Sequence, residues 1–382
     1  MIINSLLDVD LYKYTMLQVY HRFYPNANAR FRLFFRDGHK FTRGQFMAIR
    51  EEILSLGTLF LSIEDMSYLS GLSYLKSDFL TFLRSYQLDP AREVMMSISK
   101  EGDLNIEIDA NVLKSTMYET FIMSIISEVC FSESPLSDLD DINDKIEISN
   151  NGKFVFIEFG TRRRSSRRNQ EWVNKVCLER ALYYHGSSNV KISMDQGTAP
   201  IGTMAHEWIM AQQAVTNIHQ SELLAMELWS GFYGDKLSIA LTDTLTTRHF
   251  LDRAFDKELA TRFDGVRQDS GNPVEWMNAM IEHYKKLGID PTSKKYVFSD
   301  GLNFHRAARI AKEFPDYEII FGIGTNLSND VGVVPLNMVV KMVEFNGYPL
   351  IKMSDSPGKI VCEDDNLAKF CCHQINYKVW ED

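Results

Sequence analysis

The chain has 382 residues and a formal charge of −10, from 41 basic and 51 acidic side chains. With 45% hydrophobic and 24% charged residues, it has the composition of a globular protein that can bury a full core without disulfide or metal staples. The length suggests two domains of roughly 150 residues each, or one large α/β barrel with an extension, and the acidic balance argues against a nucleic-acid binder or a membrane-surface protein, which need basic faces.

Helical periodicity runs through residues 6–20, and residues 28–36 (NARFRLFFR) alternate like a strand before the Asp37-Gly38 turn. From Gln45 onward, Phe46, Ile49, Ile53, Leu56 and Phe60 recur at helical spacing. Residues 137–147 (SDLDDINDKIE) form an acidic stretch that reads as a solvated face or loop, and Asn150-Asn151-Gly152 gives a turn signal and a soft boundary. Beyond it short apolar runs at residues 154–159, 200–205, 237–241, 296–299 and 319–323 alternate with helical patterns. That rhythm predicts βα units and a parallel sheet. Asn272-Pro273 supplies an N-cap and a proline at the first helical position, ahead of a helix over 274–287. Residues 338–345 and 348–353 flank Asn346-Gly347, a hairpin signal, so the C-terminal part returns to antiparallel structure. The division expected is 1–150 as an N-terminal α+β domain, 151–335 as an α/β barrel, and 336–382 as a segment returning to the first.

No targeting segment or membrane span is legible: residues 1–10 carry no basic n-region, and no apolar run nears the ~20 residues of a span. The five cysteines are odd in number and form no CxxC pattern, which reads as reduced thiols in a cytoplasmic protein. Cys371-Cys372-His373 has no second ligand pair nearby, so no protein-held metal is expected.

In such a sheet, function sits at the C-terminal strand ends. After 154–159 come Arg162, Arg163, Arg164, Arg167 and Arg168. Cations at a helix N-terminus oppose its dipole, and a bound anion would resolve the conflict. After 200–205 comes His206. A lone histidine there is more often structural than catalytic, but the other strand ends are equally reactive. Asp243 follows 237–241 and suits either an N-cap or the orientation of His206. Arg267, Asp269 and Gly271 precede the capped helix; Asp300-Gly301 follows 296–299; Gly322-x-Gly324-Thr325 ends the last run. Arginines and a glycine turn suit phosphates. Asp269 and Asp300 suit ribose hydroxyls or a Mg²⁺ ion carried by phosphates. A phosphorylated sugar is the natural inference. No GxxxxGK[ST] and no GxGxxG after an N-terminal strand occurs, which argues against a Walker-type site and a dinucleotide-binding fold.

Nine stretches carry a family resemblance: residues 5–16 (SLLDVDLYKYTM), 158–166 (EFGTRRRSS), 186–190 (GSSNV), 200–208 (PIGTMAHEW), 240–244 (ALTDT), 267–273 (RQDSGNP), 298–302 (FSDGL), 321–327 (FGIGTNL) and 352–359 (KMSDSPGK). In this order the chain resembles the nicotinate phosphoribosyltransferases. The resemblance implies an α/β fold: an irregular α/β barrel of the type II phosphoribosyltransferase kind, with an α+β domain formed mainly by the N-terminal region. It implies transfer from 5-phosphoribosyl 1-pyrophosphate to nicotinate, coupled to ATP hydrolysis with Mg²⁺, in a homodimer with shared sites. His206 matches the family's phosphorylated histidine and Asp243 the carboxylate that orients it. Phe159 and Tyr12 match aromatics that sandwich the pyridine ring, Tyr12 being donated by the partner subunit. Arg162 and Arg267 match basic groups near the ring carboxylate and the phosphates. Asp269, Gly271, Asp300, Gly301, Gly324 and Thr325 match phosphoribosyl pyrophosphate positions. Ser188 stands where the nicotinamide enzymes carry an aspartate, and a carboxylate there would repel nicotinate; the chain therefore reads as a nicotinate enzyme. Asn272 replaces the aspartate of the usual DSGDP and is read as an N-cap.

Overall fold

A computed structural model describes residues 1–131, 133–356 and 358–377. Pro357 of the 352–359 motif, and residues 378–382 of the expected C-terminal segment, lie outside the described residues. Two compact units are built from interleaved pieces of chain: Met1–Gly202 with Gly301–Ala308 and Gly322–Lys341, and Thr203–Asp300 with Arg309–Phe321 and the chain from Met342 onward. Residue 150, where the sequence suggests a boundary, falls inside the helix Leu139–Gly152 of the first unit.

In the first unit, β1 (Asn28–Phe35), β2 (Val94–Ile98) and β3 (Leu104–Asn111) pair antiparallel, with Phe31 opposite Ile108 and Val94 opposite the same residue. The alternation read from sequence sets the faces of β1: Ala29, Phe31 and Leu33 are buried, while Arg30 turns outward to Glu107 at 3.5 Å. The helix Val112–Phe131 packs behind, with Met117, Phe121 and Ile125 wholly buried. Each such side chain contributes about 1.5–3 kcal/mol of transfer free energy. The acidic stretch is the outer face of Leu139–Gly152, whose Ile142 and Ile146 face inward. β4 (Val155–Glu158) and β5 (Tyr184–Ser187) pair in parallel.

In the second unit, β6 (Ile239–Leu241), β7 (Gly265–Gln268), β8 (Lys295–Phe298) and the start of β9 (Glu318–Ile323) are parallel neighbours. The strand order of the parallel sheet is β5-β4-β9-β8-β7-β6. β10 (Met338–Phe345) and β11 (Tyr348–Pro349) form the hairpin predicted at Asn346-Gly347 and complete a second sheet of order β11-β10-β1-β3-β2. The helix Pro273–Leu287 begins where its cap requires. The Asn272 side chain accepts from the amides of Val274 (2.9 Å) and Glu275 (3.4 Å). Among the described residues no helix is long and apolar enough to cross a membrane.

Two sequence expectations fail locally. Residues 6–10 are not helical; the first helix is Leu11–Phe23. The preceding segment instead lies along 188–191, where the Leu7 carbonyl accepts from Lys191 N–H at 2.8 Å and Val9 from Val190 at 2.9 Å. Residues 200–205 form no strand and run irregularly into the helix His206–Ala211. Pro200 has no amide to donate to a ladder, and a Cβ on Gly202 would stand 3.4 Å from that of Leu11.

Candidate active site

In the first unit, β4 delivers Phe159 and a 3₁₀ turn, Thr161–Arg163, delivers Arg162. The strand end is fixed from below by Glu158. This buried carboxylate accepts from Gly160 N–H (2.6 Å), Ser187 Oγ (2.6 Å), Gln170 Nε2 (2.9 Å) and Asn174 Nδ2 (3.3 Å). Burial raises its pKa despite these donors. Glycine is required at 322, because a Cβ there would lie 2.4 Å from the Phe159 ring. The Phe159 N–H donates to Ile323 O at 2.9 Å, and Gly324 and Thr325 follow at the N-terminus of the short turn Thr325–Ser328.

Tyr12, on the helix Leu11–Phe23, lies with its ring centroid 5.9 Å from the Arg162 guanidinium and its hydroxyl donating to Glu119 at 3.4 Å. Glu119 also binds Lys13 Nζ at 2.6 Å and Arg162 Nη1 at 3.4 Å. Burial would raise the Glu119 pKa, but Lys13 and Arg162 outweigh it and hold it low. Ser188 Oγ donates to Asp10 Oδ1 at 2.7 Å, and Asp10 Oδ2 lies 3.9 Å from Arg162 Nε. Burial nonetheless raises the Asp10 carboxyl. The structure thus brings Tyr12, Arg162 and Ser188 together, with Phe159, Gly324 and Thr325 on the adjoining strand end. Tyr12 reaches Arg162 of its own chain, because its helix packs on Val112–Phe131 beside that arginine. Although residue 188 is uncharged, a carboxylate does stand beside it in Asp10, and Arg162 is the compensating cation.

The arginine run divides. Arg164 is fully buried, with Nη1 and Nη2 on the two oxygens of Asp8 at 2.7 and 2.9 Å and Glu128 at 3.6 Å from Nε. Arg167 Nε binds Glu171 at 2.7 Å. For Arg164 and Arg167 the answering anions are thus protein carboxylates, one of them 156 residues away in sequence. Of the five arginines, only Arg162 reaches the ring-site residues through a contact described above.

In the second unit the strand ends of β6, β7 and β8 converge on His206, which is buried. Its Nε2 lies 3.1 Å from Asp269 Oδ2 and 3.7 Å from Asp243 Oδ1; its Nδ1 lies 3.1 Å from Thr244 Oγ1. Asp269 is therefore its hydrogen-bonded carboxylate, and Asp243 stands one step further off. Burial, then the Lys352 charge, lower the His206 pKa to about 4 against the pull of Asp243 and Asp269, so the imidazole is neutral at pH 7. With both carboxylates facing Nε2, the ring proton belongs there, and the Thr244 hydroxyl donates to Nδ1.

Asp269 is held by Arg267 Nη2 at 3.1 Å and Ser299 Oγ at 2.8 Å, and Arg267 Nε donates to Ser299 at 2.8 Å. Asp243 Oδ2 accepts from Ser270 Oγ and from Lys352 Nζ at 3.3 Å, while its Oδ1 has no hydrogen-bond partner among the described residues. Burial opposes ionisation of both aspartates. Lys352 and His206 at Asp243, and Arg267 and His206 at Asp269, override it and lower both pKa values. Asp300 is bound by Lys359 Nζ, 3.1 Å from each oxygen. Gly271 (φ +82°) turns the loop where a Cβ would sit 2.9 Å from that of Asp355. A cleft of about 410 Å³, lined by Thr247, Gly271, Asn272, Trp276 and Asp355 among others, adjoins the cluster through Ser270. Gly301 accepts from Arg306 Nη1 at 3.4 Å in the first unit. Sequence reasoning passed over Lys352, Lys359, Thr244 and Asp10. The two lysines flank the 352–359 motif, which was the available signal. Among the described residues, no group of three or more His, Cys, Asp or Glu is placed to hold a metal ion.

Residues 154–379 match the nicotinate phosphoribosyltransferase family and residues 7–127 the N-terminal domain of that family. The chain is 41% identical over 391 residues to the nicotinate phosphoribosyltransferase of Vibrio cholerae, covering 95% of this chain and 89% of that one. It is 37% identical over 389 residues to that of Photorhabdus laumondii, covering 96% and 94%. Crystal structures of nicotinate phosphoribosyltransferases from Porphyromonas gingivalis (TM-score 0.94, 32% identity, 98% and 100% covered) and Vibrio cholerae (0.92, 38%, 98% and 94%) share its fold, the type II phosphoribosyltransferase fold. A neutral histidine framed by carboxylates at parallel strand ends, in a chain similar over nearly its full length to these enzymes, has one consistent reading: the chain belongs to the nicotinate phosphoribosyltransferase family.

Proposed function

We propose that this chain transfers the phosphoribosyl group of 5-phosphoribosyl 1-pyrophosphate to the ring nitrogen of nicotinate, giving nicotinate mononucleotide and pyrophosphate in NAD salvage, with ATP hydrolysis coupled through a phosphohistidine at His206. The observation that carries this reading is the neutral, hydrogen-bonded His206 in a chain of this family. A neutral imidazole keeps a lone pair for attack on the γ-phosphorus of ATP. With the proton on Nε2, that lone pair is on Nδ1, which becomes the phosphorylated nitrogen. Mg²⁺ enters with the substrate phosphates. Arg267, Asp269, Gly271, Asp300, Gly301, Gly324 and Thr325 are assigned to phosphoribosyl pyrophosphate; for Asp300 this requires displacement of Lys359.

Nicotinate binds against Tyr12 and Phe159, its carboxylate answered by Arg162. Arg162 favours nicotinate over nicotinamide, because a cation facing a carboxylate gains Coulomb energy that a neutral amide does not offer. The ring nitrogen carries no proton at neutral pH, so attack on C1 needs no general base; positioning and charge stabilisation supply the rate. The five cysteines, all unbridged, suit the cytoplasm, where we place the protein. The test is turnover of nicotinate, nicotinamide and quinolinate with 5-phosphoribosyl 1-pyrophosphate, with and without ATP. Nicotinate alone is expected to react rapidly, and faster with ATP. Equal turnover of nicotinamide would overturn the substrate, and indifference to ATP would overturn the coupling.

A further inference from the structure

Lys352 has no assigned role, yet it is held more firmly than a surface lysine needs. Its amide donates to Val361 O at 3.0 Å and its carbonyl accepts from Val361 N–H at 2.8 Å, in an isolated antiparallel bridge. The next residue, Met353, donates to Thr244 O at 2.9 Å. The backbone is thus pinned on both sides, one of them the residue that contacts His206 Nδ1. The side chain is about 7% exposed, and its ammonium ends 3.3 Å from Asp243 Oδ2. A buried ammonium is costly unless its charge is answered.

Charge balance shows what it answers. Before phosphorylation the cluster holds the carboxylates Asp243 and Asp269, the cations Lys352 and Arg267, and a neutral His206, and is balanced. Phosphorylation forms a bond from a His206 ring nitrogen to the γ-phosphorus. The bond from that phosphorus to the β,γ-bridging oxygen breaks, and ADP leaves with its electron pair. The ring keeps its Nε2 proton and becomes an imidazolium, so a phosphoryl group of about −1.5 to −2 charge leaves the histidine at about −0.5 to −1 and unbalances the cluster by that amount. Arg267 is already committed to Asp269 and Ser299. Lys352 has one described side-chain partner, Asp243, which has a second donor in Ser270.

We propose that Lys352 is the charge-compensating residue of the phosphoenzyme, an ammonium stored on Asp243 that stabilises the phosphorylated over the unphosphorylated His206. The inference rests on the phosphohistidine reading and adds to it which residue sets the phosphoenzyme equilibrium.

The test measures the ratio of phosphorylated to free enzyme by intact mass at fixed ATP:ADP ratios, in the native chain, Lys352→Met and Lys352→Arg, with folding checked by near-ultraviolet circular dichroism. Lys352→Met should lower the ratio at least tenfold, and Lys352→Arg should restore most of it. A Lys352→Met chain that is folded and phosphorylates to the native ratio overturns the proposal, as does an arginine variant no better than methionine. If Lys352→Met does not fold, the arginine variant decides alone: a native-like ratio supports the proposal and a methionine-sized loss overturns it. A native chain that takes up no phosphoryl group on His206 instead overturns the reading on which the proposal rests.

Discussion

Two buried charge clusters, one in each unit, use the same side-chain types to opposite ends. Around Arg164 the charges are matched and dry: Asp8 accepts two hydrogen bonds from the guanidinium, Asn189 donates to Asp8 at 2.8 Å, Glu128 lies 3.6 Å from Nε, and Arg164 is wholly shielded from solvent. Around His206 the pairing is open. Asp243 keeps one oxygen without a hydrogen bond, Asp269 is about a quarter exposed, and the histidine stays neutral between them. A matched, dry cluster fixes the chain at one cost in desolvation and one gain in pairing. An open one keeps a lone pair and an unsatisfied oxygen available for chemistry. Residue type does not separate them, and neither does hydrogen bonding alone, since Arg164 Nε also lacks a hydrogen-bond partner among the described residues; the neutral histidine and the partly exposed Asp269 of the second cluster do.

The sharpest break between the two is His206→Ala. It should abolish ATP-dependent phosphorylation, and its stimulation of transfer, while slow ATP-independent transfer persists; residual acid-labile phosphate on the variant would contradict the assignment. Next, Arg164→Met should leave Asp8 buried and unpaired, lowering stability by about 3–5 kcal/mol in urea unfolding, whereas activity per folded molecule stays near native. Asp269→Asn should do the reverse. It removes the charge that holds the His206 proton, slows phosphorylation by about 10²-fold, and leaves unfolding less affected than Arg164→Met does. Tyr12→Ala should raise the nicotinate KM by about tenfold, the scale of one aromatic contact. On the shared-site reading, mixing Tyr12→Ala with His206→Ala chains should recover partial activity; no recovery beyond their sum would count against Tyr12 acting in trans. The smallest effect is on the cap: Asn272→Ala should cost about 1 kcal/mol of stability and leave the preference for nicotinate unchanged.

The pH dependence separates the clusters further. The folded pKa of His206, about 4, lies below its ordinary 6.5, so the unfolded chain binds a proton there that the folded chain refuses. Stability therefore falls as pH drops from about 6.5 towards 4, and the phosphorylation rate should hold across that range and fall only near 4. Urea midpoints and single-turnover rates over pH 4–8 would check both. Asp8 has the same sign in a lower window. Burial opposes its ionisation, but Arg164 lowers its pKa below 3.8, so the stability it contributes is lost only in stronger acid.

Much of this could be read from the sequence where the signal is local. The hairpin at Asn346-Gly347, the cap at Asn272 and the alternation of residues 28–35 each depend on neighbours a few residues apart, and the structure has them. The segment before His206 forms no strand, and β7, which ends before Asp269, reads in sequence as a polar loop; the run ending before Asp243 was legible as a strand. β5 was not, because Tyr184–Ser187 is polar and offers no apolar run. The fate of Arg164 and the contact of Lys352 with Asp243 were illegible for another reason. Their partners lie 156 and 109 residues away, and no periodicity reports such a contact. The choice of Asp269 over Asp243 as the hydrogen-bonded carboxylate turns on 3.1 against 3.7 Å, a difference only the folded chain defines.

The central claim is that His206 carries the phosphoryl group that couples ATP to transfer. The most direct measurement is intact mass after exposure to ATP, followed by mapping of the acid-labile phosphate, then addition of 5-phosphoribosyl 1-pyrophosphate and nicotinate. One phosphoryl group on His206, at Nδ1, discharged as nicotinate mononucleotide forms, is the predicted result. Phosphate at another residue, or a phosphorylated His206 that substrates fail to discharge, would contradict the account.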